Sequence, residues 1–145
     1  MVRVALAYFP ELREVSLRVG LARGAHGYAS LDEPAIWLNP RRLSYQTISH
    51  ELVHLLQGCG QVPKGERSCD LYSLARDTML VDAAPVYLTI PEALVTPDGG
   101  LRSGAPRLLF ETACEAIRQR EAGRRQYIRW FEERITEGRA GAEGV

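Results

Sequence analysis

A chain of 145 residues has room for one compact domain that buries roughly two-thirds of the surface its unfolded form exposes, so neither a disulfide nor a metal is needed merely to hold it together. Its 46% hydrophobic and 25% charged residues, with no repeat or low-complexity stretch, exclude disordered and fibrous classes. Eighteen basic residues against eighteen acidic ones leave a net charge of zero, without the global positive field of most nucleic-acid binders, so nucleic acid is not an expected partner.

Val2 to Tyr8 alternates partly and is rich enough in β-branched residues to suggest a strand, with a short helix from Glu11 as the competing reading. Extended segments between Val15 and Gly27, then Tyr28 to Leu31, an acidic turn at Asp32 and Glu33, and Ala35 to Leu38 predict a small antiparallel or mixed sheet. Asn39-Pro40 ends the last strand, and Ser44 is a helix N-cap. Tyr45 to Gln57 is a helix with Ile48, Leu52, Leu55 and Leu56 on its apolar side, stopped by Gly58 and Gly60. A second helix is expected from about Glu66 to Val81, with Leu71, Leu74, Ala75 and Leu80 in the core and Arg76 and Asp77 on a solvated face. Pro85, Pro91 and Pro97 make the next segment irregular. Pro106 then opens a long last helix over about 106–137, carrying Leu109, Ala113, Ile117, Ile128, Phe131 and Ile135 at helical spacing. The apolar face of that helix is a candidate docking surface for a regulatory protein partner. Arg118, Arg120, Arg124, Arg125 and Arg129 are interleaved with acids and read as a solvated or ion-paired face. The whole, residues 1–145, reads as a single α+β domain.

Nothing in the chain approaches the roughly 20 apolar residues that cross a bilayer, and the first ten residues have neither a basic start nor a small-residue cleavage site. No membrane contact and a cytoplasmic location are the expectation. Cys59, Cys69 and Cys114, an odd number without framework spacing, fit reduced thiols.

His50-Glu51-Leu52-Val53-His54 is H-E-x-x-H inside the best-defined helix. Four residues make about one turn, so both imidazoles project from one face and can converge on one ion, while Glu51 reaches water beside it. Zn2+ suits imidazole nitrogen and tetrahedral geometry, and Glu51 is then the general base. Glu66, Cys69 and Asp70 are candidates for the third ligand. Glu66 and Asp70 stand at i and i+4 on the second helix, so one can ligate while the other hydrogen-bonds a ligand imidazole. Glu66 is assigned to the ion and Asp70 to the imidazole, with the reverse left open. Tyr72, Tyr87 and His26 are candidates to stabilise an oxyanion.

H-E-x-x-H followed by E-x-x-x-D on the next helix is similar to the gluzincin metallopeptidases, within the zincin class. The segment E-x-x-C-D-x-Y from Glu66 resembles E-x-x-A-[ND]-x-F-A of the ImmA/IrrE-type members. The resemblance covers about residues 28–81. It implies a zincin-like fold with a small sheet on the active-site helix, Ala35 to Leu38 as the substrate-facing edge, and zinc-dependent hydrolysis of a peptide or protein substrate. His50, His54 and Glu66 are the implied ligands and Glu51 the base. The alternative is a metal-stabilised, non-catalytic binding or regulatory module in which Cys59 and Cys69 join His50 and His54 in a closed zinc site.

Overall fold

The computed structural model describes residues 1–24, 27–30 and 32–143, with side chains as far as residue 138. The N-terminal stretch is a helix, α1 (Val2–Leu6), rather than the expected strand. Its partial alternation conceals a helical pattern: Val2, Ala5, Leu6 and Phe9 lie at i, i+3, i+4 and i+7. Ala5 and Phe9 are fully buried and Val2 and Leu6 pack against the same core, whereas Val4 faces solvent.

Three short strands come next, β1 (Arg18–Leu21), β2 (Gly27–Ser30) and β3 (Ala35–Leu38), in the spatial order β1-β3-β2. The sheet is mixed. Val19 pairs with Ile36 in the parallel β1-β3 ladder, and Gly27 with Leu38 in the antiparallel β2-β3 ladder. Ala35 to Leu38 is therefore the central strand and not the exposed edge that the resemblance implied. The edge that lies against the next helix is β2. On the outer face Trp37 lies over Gly20, where a side chain would collide with the indole, and stacks on Tyr28 at 4.7 Å.

Helix α2 (Tyr45–Gly58) begins where expected: the Ser44 hydroxyl accepts from Thr47 N–H, and Asp82 accepts from Tyr45 and Gln46 N–H at 2.9 Å each. Ile48, Leu52, Leu55 and Leu56 are all buried, packing with Ile36, Leu38, Phe9 and Cys69 in one core. Helix α3 (Glu66–Leu74) is shorter than the predicted segment to Val81. Past Leu74 the chain turns, with Asp77 capping a short 3-10 turn through Met79 N–H. Arg76, expected on a solvated face, instead pairs with Glu11, donates to Tyr8 C=O at 3.2 Å and lies 4.4 Å from the centre of the Phe9 ring. It ties the end of α3 to the N-terminal segment.

The predicted long last helix is a hairpin of two, α4 (Ala105–Glu121) and α5 (Tyr127–Glu143). Gly123 at φ 107° makes the break, and Arg124 N–H returns to Gln119 C=O across it. Folding back lets Leu109, Ala113 and Ala116 of α4 and Phe131 and Ile135 of α5 close on Leu71 and Leu74, forming a second core. The apolar face considered for a partner is thus already covered by α3. Arg120, Arg124 and Arg129 each donate to a neighbouring side chain, as an internally paired face would. Among the described residues no helix is long and apolar enough to cross a membrane.

Candidate metal centre

One turn of α2 brings the His50 and His54 rings to 4.6 Å, edge to face. The chain leaves α2 and turns through Val62 and Pro63. It enters α3 at Gly65, whose φ of 104° favours glycine, so Glu66 stands at the mouth of the site as the first helical residue. The Glu66 carboxylate faces both rings: Oε2 is 2.8 Å from His50 Nε2 and Oε1 is 3.2 Å from His54 Nε2. Asp70, one turn deeper and 2% exposed, accepts from His50 Nδ1 at 2.7 Å and from Tyr87 N–H at 2.7 Å. Glu66 thus stands at the Nε2 atoms and Asp70 behind His50.

The hydrogen bonds fix a proton on Nδ1 of both rings. The Gln57 amide nitrogen donates to Pro63 C=O at 2.8 Å and Gly65 C=O at 2.9 Å, so its oxygen, 2.7 Å from His54 Nδ1, must be the acceptor. With Asp70 accepting from His50, both rings carry a proton on Nδ1, and each, when neutral, turns an Nε2 lone pair toward the Glu66 carboxylate. Lone pairs facing a carboxylate at 2.8 and 3.2 Å repel unless a proton on Nε2 or a metal cation joins them. The separations are close to the edge of about 3.3 Å expected between ligand atoms of a tetrahedral zinc with bonds of about 2.0–2.1 Å. The donor set of two imidazoles and a carboxylate, each imidazole held from behind, fits a zinc ion.

Cys69 lies beside the cluster, and the ligand atoms of His50, His54 and Cys69 fall within 4.8 Å of one another, a group that can hold a metal ion. Its sulfur is committed elsewhere, donating to His50 C=O at 3.0 Å. Burial, reinforced by the charges of Asp70, Glu66 and Glu51, pushes the free thiol far above its usual range. Cys59 is exposed at the end of α2 and outside this group, so the described residues do not form the closed site with two cysteines and two histidines.

Glu51 is 4% exposed, and its Oε2 is buried without a hydrogen-bond partner. Burial raises its proton affinity. His50 and His54 oppose that rise, and the charges of Glu66 and Asp70 add to it, leaving the carboxyl above its ordinary range. For His50 burial acts downward, but the Asp70 hydrogen bond and surrounding carboxylates outweigh it and the ring is shifted up. Gly27 of β2 lies against Glu51: a Cβ there would stand 3.3 Å from Glu51 Cγ and 2.7 Å from Trp37 C=O. A cleft of about 510 Å³ bordered by Tyr28, Glu51, His54, Lys64 and Glu66 opens on this side. A second, of about 470 Å³ and bordered by Ser44, Gln46, His50, Asp70 and Tyr87, opens on the other.

The oxyanion candidates separate. Tyr87 stacks on His50 at 5.6 Å, and its phenol is shifted upward chiefly by the charge of Glu66, which places it at the cluster. Tyr72 accepts from Arg120 at 3.2 Å over the second core and does not join the site. His26 lies outside the described residues. Gln57 is the participant the sequence did not single out; its position three residues after His54, on the same helical face, is the signal that marks it. No protein-family model, curated protein or solved structure matches the chain, and the site stands on its own geometry.

Proposed function

We propose that the protein is a zinc-dependent hydrolase of peptide bonds, with His50, His54 and Glu66 holding the ion and Glu51 as general base. The observation that carries this reading is the pair of Nε2 atoms facing one carboxylate at 2.8 and 3.2 Å, with a buried, unpartnered Glu51 oxygen on the same turn of the helix. When bound, zinc supplies the Lewis acidity that makes water nucleophilic near neutral pH. Glu51, bordering the cleft and with raised proton affinity, accepts the proton of the attacking water and passes it to the departing amine. Tyr87, beside His50, donates to the oxygen that becomes negative as the carbonyl is attacked. The outer edge of β2 has no ladder partner among the described residues and offers backbone groups to an extended peptide beside Glu51.

Zinc content and hydrolysis of a mixed peptide library test the proposal in the wild type and in Glu51→Gln. The wild type should cleave, while Glu51→Gln should keep its zinc and lose about 10²–10⁴-fold in rate. A zinc-loaded wild type that cleaves no peptide, or a variant as fast as the wild type, overturns it. The proximity of Cys69 to both imidazoles favours a second reading, a closed and purely structural metal site. That reading requires a sulfur ligand.

A further inference from the structure

Gln57 is 7% exposed and uses both ends of its amide. Its oxygen holds the Nδ1 proton of His54, and its nitrogen bridges the carbonyls of Pro63 and Gly65. Those carbonyls belong to the segment that carries the chain from α2 into α3. Gly65 C=O also accepts from Cys69 N–H at 3.0 Å, the first hydrogen bond of α3, one residue before Glu66. A single side chain thus grips one ring of the cluster from behind and, with its other end, the backbone that delivers the facing carboxylate.

We propose that Gln57 is a positioning residue that couples the tautomer of His54 to the placement of Glu66, so that the ligand set is assembled before any ion arrives. This rests on the metal-centre reading. Without the amide oxygen, no other described group holds the proton on His54 Nδ1. The ring then reverts to the commoner Nε2–H form, which turns a proton instead of a lone pair toward Glu66. Without the amide nitrogen, the Pro63 and Gly65 carbonyls lose a shared donor and the entry to α3 is no longer fixed to α2. An isolated hydrogen bond to His54 would serve the first task only. The bidentate contact with the loop is what makes the residue specific to this short connection.

The test uses the full chain and two variants that separate the arms. Gln57→Leu removes both, and Gln57→Glu keeps an acceptor for His54 but has no donor for the loop. Histidine ¹⁵N spectra of the metal-free proteins read the tautomer, and chelator competition reads zinc affinity. His54 should be Nδ1–H in the wild type and in Gln57→Glu, and Nε2–H in Gln57→Leu. Zinc affinity should fall about 10–100-fold in Gln57→Leu. In Gln57→Glu it should fall less, and Glu66→Ala should cost less in that background than in the wild type, because the carboxylate is already misplaced. If Gln57→Leu does not fold, Gln57→Glu still carries the loop test, and the wild-type spectrum carries the tautomer assignment. An Nε2–H tautomer in the wild type overturns the proposal, as does wild-type zinc affinity in both variants or strict additivity of Gln57→Glu with Glu66→Ala. A wild type that binds no zinc while showing the expected tautomers sinks the metal reading instead, and with it the purpose assigned to Gln57.

Discussion

Asp70→Asn changes one oxygen to an NH2 group at a position that is 2% exposed, where water cannot make good a lost partner. Each carboxylate oxygen now accepts one N–H, from His50 Nδ1 and from Tyr87, both at 2.7 Å. Asparagine has one acceptor. If its oxygen stays with His50, NH2 meets the Tyr87 N–H, a charge-assisted bond becomes a donor–donor contact, and about 1.5–3 kcal/mol is lost. If its oxygen turns to Tyr87, NH2 meets Nδ1, and His50 relieves the contact by moving its proton to Nε2. Only the second route satisfies every buried donor, so His50 should switch tautomer and donate to Glu66. The metal-free protein then loses less than about 1.5 kcal/mol in denaturant unfolding, while zinc affinity falls about 10–100-fold. Chelator competition and unfolding on the same preparations separate the two quantities. Zinc affinity within about threefold of the wild type would refute the lone-pair argument, because a protonated Nε2 cannot ligate.

Further outcomes probe the frame around the site. Gly27→Ala drives a Cβ to 2.7 Å from the Trp37 carbonyl, which is backbone and cannot swing away, so β2 must shift from β3. A loss of about 1–3 kcal/mol in thermal unfolding is expected, and an unchanged midpoint would contradict the packing described for β2. Glu11 is held below its ordinary range chiefly by its hydrogen bond to Arg76, so its contribution is present above pH 4.5 and fades as pH falls through the lowered value in the folded protein. Glu11→Gln should therefore cost up to about 1 kcal/mol at neutral pH and nothing in strong acid, as followed by unfolding at a series of pH values; a constant difference would refute the assignment. Gly123→Ala, at φ 107°, should destabilise by about 1–3 kcal/mol although nothing stands within 4 Å of the added carbon. Gly138→Ala, inside α5 with Leu108 at 3.8 Å, should stabilise by up to about 1 kcal/mol; shifts of the same sign in both would contradict the hairpin.

Legibility in the sequence divides along local and non-local lines. Helix α2 was legible because its cap at Ser44, its apolar spacing and the one-turn separation of His50 and His54 are all properties of a short stretch of chain. The candidacy of Glu66 and Asp70 came from their spacing on one helix, but which of them faces the rings depended on where α3 begins, and Gly65 sets that. The central place of β3 was not legible, since strand order depends on β1 pairing parallel to it across 17 positions of sequence, Arg18 with Ala35. In α1 two β-branched residues imitate a strand over a segment too short to show its helical period. The break between α4 and α5 has no proline. Only the positive φ of Gly123 marks it, within a run whose charges continue a helical pattern. The role of Gln57 is not legible in the sequence, because its partners, the carbonyls of Pro63 and Gly65, come beneath it only when the chain turns back after α2.

That His50, His54 and Glu66 form a metal centre is tested most directly by X-ray absorption at the zinc edge on the zinc-loaded protein. One zinc per chain is expected, with a shell of nitrogen and oxygen only, at about 2.0–2.1 Å. A zinc–sulfur distance of about 2.3 Å would place Cys69 on the ion and contradict the assignment, and so would a chain that takes up no zinc.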